Sequence, residues 1–150
     1  MATTVEQANL TVTIIESIEL NGVNYGNTIS TTFATQGKVD QRIMSTATTY
    51  TDVIYTAAAD GRGQVVAADW GYFRITNLDD TNFITLRLYD ATDSQFLKIL
   101  AGKSFVLMSP QIDVDASGTT FNNFENITQI AVDADTAACD IEYVIVTAPE

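Results

Sequence analysis

Apolar residues recur at every second position over short runs, and this period of two persists along the chain. Within 83–89, Ile84, Leu86 and Leu88 share one parity while Thr85 and Arg87 take the other. A strand sends successive side chains to opposite faces, so the pattern describes strips with one face buried and one wet. Residues 11–20 place Val12, Ile14, Ile18 and Leu20 on a single parity and predict a strand. The segment Asn21-Gly22-Val23-Asn24-Tyr25-Gly26-Asn27 then gathers residues that accept positive φ, which predicts a turn. Runs rich in β-branched residues follow at 28–34, 39–46 and 50–56, then a turn at Asp60-Gly61-Arg62-Gly63 and a short strand at 64–68.

The second half repeats the pattern at 72–77, 83–89, 95–100 and 104–109. The links between these runs are short, which predicts a meander of antiparallel neighbours. Two further strands, 126–132 and 141–147, close the chain. The last is apolar on both faces over its second half, as a central strand requires. No segment holds a 3.6-residue apolar period over three turns, and Thr120–Glu125 is the best short helical candidate. About ten strands at roughly 8–12-residue spacing, with no linker, predict a single antiparallel β-sandwich, jelly-roll-like, over residues 10–150. Residues 1–9 read as an N-terminal arm that either frays or docks on a neighbour.

Composition removes several function classes. Histidine is absent, and with it the commonest general base, the commonest zinc ligand and every histidine-containing triad. The three lysines, Lys38, Lys98 and Lys103, form no Ser-x-x-Lys arrangement, so no nucleophile–base pair emerges and a non-enzymatic protein is expected. Nineteen acidic residues face seven basic ones, for a net charge of −12. That balance disfavours nucleic acid and anionic membrane surfaces as partners, since both call for Lys/Arg clusters. No apolar run reaches the length of a membrane span, and MATTVEQANLTVTII lacks the charged and apolar regions of a secretory leader. Cys139 has no second cysteine to pair with and reads as a small buried hydrophobe, consistent with synthesis in a reducing cytoplasm.

Four groups of residues are candidates for chemistry. Asp79-Asp80-Thr81-Asn82 sets two carboxylates between apolar runs, as a polar turn does or as a calcium loop does. Asp113, Asp115 and Ser117, followed by Gly118, match the opening of a calcium-binding loop. The position that carries the bidentate glutamate is Phe124, however, and calcium is retained only as a candidate ligand here. Asp133, Asp135 and Asp140 make a third acidic group. Trp70, Tyr72 and Phe73 cluster beside Asp69 and Gly71, and fit a sugar-stacking face, a subunit contact or the edge of a core. Phe121 and Phe124 read as residues inserted into a core or an interface.

Three segments carry a resemblance: GYFRITNLDDTNFITLRL at 71–88, FLKILAGKSFVLMS at 96–109, and ITQIAVDADTAACDIEYVIV at 127–146. Their strand-and-turn pattern resembles small virion proteins of tailed bacteriophages. The resemblance implies a particle component made in the host cytoplasm and located in the virion. It implies foremost a head decoration (cement) protein that binds the major capsid protein and self-associates, with a trimer as the expected oligomer. A tail or head-fibre component comes next, and a carbohydrate-binding or adhesin module using Trp70 and Tyr72 is the alternative outside the virion. The span 97–107 is also similar to a cupin hairpin, but cupins hold their metal through histidines and this chain has none.

Overall fold

The computed structural model describes residues 6–57, 61, 63–90, 92–109, 111–114, 121 and 127–148. Two sheets packed face to face make the body, which is the all-β antiparallel sandwich expected. Thirteen strands are present among the described residues. They are β1 (Ala8–Ile15), β2 (Glu19–Leu20), β3 (Val23–Asn24), β4 (Thr28–Gln36), β5 (Lys38–Thr46), β6 (Thr51–Thr56) and β7 (Gln64–Val65). After a 3-10 turn at Ala67–Asp69 come β8 (Trp70–Asn77), β9 (Ile84–Tyr89), β10 (Ser94–Ile99), β11 (Ser104–Leu107), β12 (Gln129–Ala134) and β13 (Cys139–Thr147). The number exceeds the expected ten partly because the run 11–20 breaks after Ile15, and its far end pairs with Val23–Asn24.

One sheet has the order β10-β9-β12-β6-β7 and the other β11-β8-β13-β5. Every pairing is antiparallel except β6 with β7. Strand β13 is central, flanked by β8 and β5. The outer face of its second half is covered at the base of the ribbon, where Val146 meets the groove beside Leu10, so both faces are apolar. Between the sheets lie Ile84, Leu86, Leu88, Ile130 and Val132 from one side and Phe73, Ile75, Ile141, Tyr143 and Ile145 from the other. Each fully buried side chain of this size contributes roughly 1.5–3 kcal/mol, so this double row is the main source of stability.

The meander expected over 72–109 is not what forms. Strands β8 and β9 belong to opposite sheets, and so do β10 and β11. The links 78–83 and 100–103 are therefore arches from one sheet to the other. Of the expected hairpins only β9–β10 exists, paired from Tyr89 with Ser94 to Ile84 with Ile99. A period of two specifies which face of a strand is buried. It leaves open which sheet the strand joins, because both sheets present their apolar faces to the same core.

Asn77, wholly buried, fastens the two arches together. Its Nδ2 donates to Asn82 O at 2.8 Å and to Ile99 O at 3.3 Å, and its Oδ1 accepts the Asp79 amide at 3.0 Å. The backbone adds Asn77 N to Lys103 O and Gly102 N to Asp79 O. Gly102, at φ 66°, supplies the left-handed residue that the second arch needs.

Strands β1 to β4 form a separate ribbon. β1 pairs with β4 from Ala8 with Gln36 to Ile15 with Thr28, and the tip closes at Asn21-Gly22. Both tip residues have positive φ, 53° and 78°, as the hairpin turn matched to strand twist demands. Gly26 lies where an added Cβ would sit 2.3 Å from Glu16 O, so only glycine fits there. Through Gly37, whose amide donates to Thr147 O, the ribbon runs directly into the edge strand β5.

Candidate functional site

The sequence candidates separate once they are placed. Trp70, Tyr72 and Phe73 are all buried. Trp70 packs on Phe73 with ring centroids 5.6 Å apart, and Tyr72, on the outer face of its sheet, meets Phe33 of the ribbon at 6.0 Å. Rings covered this way leave no face for a sugar, so this cluster is core and the seam of the ribbon rather than a glycan platform. Asp113 lies between Ile112 and Val114, which both pack against the core. Asp115, Ser117 and Phe124 lie outside the described residues, as does most of the helical candidate 120–125; Phe121 is exposed. Among the described residues no three of His, Cys, Asp and Glu gather closely enough to hold a metal ion.

The Leu78–Asn82 segment does the work of an Asx turn. Asp79 Oδ1 accepts the amides of Thr81 at 2.8 Å and Asn82 at 2.6 Å. Those donors hold its carboxyl below the usual aspartate range. Asp90 repeats the device, accepting the amides of Asp93 and Thr92, and its carboxyl is lowered for the same reason. Cys139 is fully buried, and its thiol is pushed up by burial and by the nearby Asp79, Asp135 and Asp140. It is a core residue.

Two surfaces remain that the sequence did not single out. The first is the ribbon, whose two faces differ. Thr11 with Thr32 and Thr13 with Ser30 form a hydroxyl face, and their side chains hydrogen-bond in pairs. Leu10 with Phe33, Val12 with Thr31 and Ile14 with Ile29 form an apolar face. Near the body this apolar face is half-buried, beside a groove of about 260 Å³ lined by Leu10, Gln36, Lys38, Val39 and Val146. Farther out it has no cover: Ile18, Leu20, Val23, Tyr25 and Ile29 range from 49% to 63% exposed, and Ile15, on the hydroxyl face, is more exposed still.

The second is the outer face of the five-stranded sheet. Register places Phe96, Arg87, Ala131 and Asp52 side by side across β10, β9, β12 and β6. The next row holds Ser94, Tyr89, Gln129 and Tyr55. Arg87 lies between two rings, its guanidinium carbon 4.7 Å from the Tyr50 centroid and 4.4 Å from that of Tyr89. Tyr50 in turn meets Phe96 at 6.3 Å. Asp52 accepts hydrogen bonds from the Tyr55 hydroxyl and from Gln129 Nε2. The Tyr55 hydroxyl is raised above its ordinary pKa chiefly by that bond, and the Tyr50 hydroxyl by burial and the Asp133 charge. These aromatics come as two sequence-local pairs, Tyr50 with Tyr55 and Tyr89 with Phe96, and the strand order brings the pairs together.

No helix of the described residues is long and apolar enough to cross a membrane. Compared with protein-family models, curated proteins and solved structures, the chain matches none.

Proposed function

We propose that this chain is a non-enzymatic structural protein of a virion, a capsid decoration protein that binds the major capsid protein. The observation that carries the reading is the ribbon, whose apolar face continues past the body that covers its base. Apolar surface of this kind, arranged on one side of a projecting hairpin, is characteristic of a contact surface for another protein. A neighbouring subunit supplies the missing cover, either the capsid protein or a second copy in a trimer. The acidic composition and the strand-and-turn pattern that resembles small phage virion proteins support the same assignment. So does the lack of histidine, which leaves no ordinary acid–base machinery.

Quantitative mass spectrometry of purified particles tests it. Amounts close to those of the major capsid protein are expected. A small fixed copy number would assign the chain to a tail or head fibre instead, and absence from particles would overturn the virion reading.

A further inference from the structure

We propose that the outer face of the five-stranded sheet binds a neutral carbohydrate, with Tyr50, Tyr55 and Phe96 as stacking rings. Asp52, Gln129 and Arg87 supply the polar contacts. The three rings are 41%, 43% and 52% exposed, against 4% and 7% for Trp70 and Tyr72. These three share one sheet face about 14 Å wide at the ordinary strand spacing, whereas the exposed Tyr25 stands by itself on the ribbon.

Sugar rings combine an apolar C–H face with a rim of hydroxyls, and a site for them needs flat rings beside oriented polar groups. Both are present here. Tyr55 and Gln129 donate to opposite oxygens of Asp52, which fixes the carboxylate and leaves each oxygen a further lone pair for a hydroxyl donor. Arg87 is in contact with the rings of both Tyr50 and Tyr89, which restrict its position before any ligand arrives. Ala131, the small residue at the middle of the first row, is wholly covered by its larger neighbours, so the contact surface is made by those side chains.

Charge selects among occupants. Arg87 and, one row along, Lys98 stand on this face with the carboxylates of Asp52 and Asp133. The face itself is thus balanced in charge while the chain carries −12 overall. The net charge of the whole chain disfavours anionic glycans and phosphates, and among the described residues the face holds no cluster of cations to attract them. A neutral polyol loses nothing to that charge.

Affinity electrophoresis of the full chain is the test, in native gels containing soluble α-glucan, β-glucan, mannan or galactan, with alginate as the anionic comparison. Retardation by at least one neutral polysaccharide is expected. It should weaken about tenfold in Phe96→Ala and in Tyr50→Ala, the scale of one lost aromatic contact. Leu20→Asp, on the ribbon, should leave it unchanged, which separates this site from the virion contact. Thermal melting checks the fold of each variant, and Phe96→Leu, which keeps bulk but removes the flat ring, replaces any that melts early. No retardation by any neutral polysaccharide, retardation by alginate alone, or retention that survives the ring substitutions would each overturn the proposal.

Discussion

Asn77 Nδ2 reaches Ile99 O across two arches that leave for the opposite sheet at different points of the chain. One side-chain amide, buried among apolar residues, thus ties the arch 78–83 to the end of β10, where the second arch begins, by bonding the carbonyls of Asn82 and Ile99.

Removing it strands those partners. Asn77→Ala is expected to lower stability by about 2–3 kcal/mol, the scale for leaving buried polar groups unpaired. Asn77→Asp should be at least as damaging, because it turns an oxygen toward the carbonyls of Asn82 and Ile99. Urea unfolding followed by tryptophan fluorescence measures both. A shift no larger than that of an exposed control would remove Asn77 as the tie between the arches.

Acid should loosen the two Asx turns. Asp79 and Asp90 have folded-state pKa values below their unfolded ones, so the folded chain binds fewer protons. Their contribution is complete above the ordinary carboxyl pKa of about 3.9 and is lost as pH falls through the lowered folded value. Melting temperature followed from neutral pH downward is expected to drop more steeply in wild type than in Asp79→Ala, which has already lost one of the turns. Parallel curves would mean that Asp79 contributes nothing through its charge.

Cys139 should not react with a thiol reagent in the native protein. Its side chain is inaccessible, and burial together with Asp79 disfavours the thiolate. Labelling is expected only in urea, with a midpoint that coincides with global unfolding. Fast native labelling would place the thiol at the surface.

The ribbon is attached at its base by Phe33 against Tyr72. Phe33→Ala is expected to raise amide hydrogen exchange across 10–14 and 29–33 while β9, β12 and β13 keep their protection. Leu20→Asp at the tip should leave melting within about 0.5 kcal/mol of wild type, as exposed substitutions do. The same change is expected to abolish incorporation into particles, scored by adding purified protein to particles that lack it. Loss of protection throughout the sandwich in Phe33→Ala would show that the ribbon is part of the core.

Much of this fold could be read from residue order. The parity of Ile84, Leu86 and Leu88 marked the buried face of β9, and the apolar second half of β13 marked a central strand. Both are local properties of a strand in a half-buried or fully buried setting. The arches could not be read, because Leu78–Asn82 has the composition of a hairpin turn and its partner contact is the side chain of Asn77. The exposure of Ile18 and Leu20 was equally hidden: their parity matched that of Val12 and Ile14, yet the ribbon carries them beyond the body. Trp70 and Tyr72 looked available for stacking, and tertiary cover from Phe33 and Phe73 decided otherwise. The aromatic face was missed because the pair Tyr50 and Tyr55 joins Phe96 only through the pairing of β12 with both β6 and β9.

The arches also dictate how such a chain must come together. With β8 and β9 in opposite sheets, β10 and β11 likewise, and β12 and β13 again on opposite sides, the strands are laced through both layers in alternation. Neither layer can be completed while the other is missing, and β12 cannot pair with β6 until the intervening chain has crossed the core several times. Such long-range closure slows folding and leaves few local stopping points. Losing the C-terminal part of the chain from any point between β5 and β12 therefore takes strands from both sheets at once.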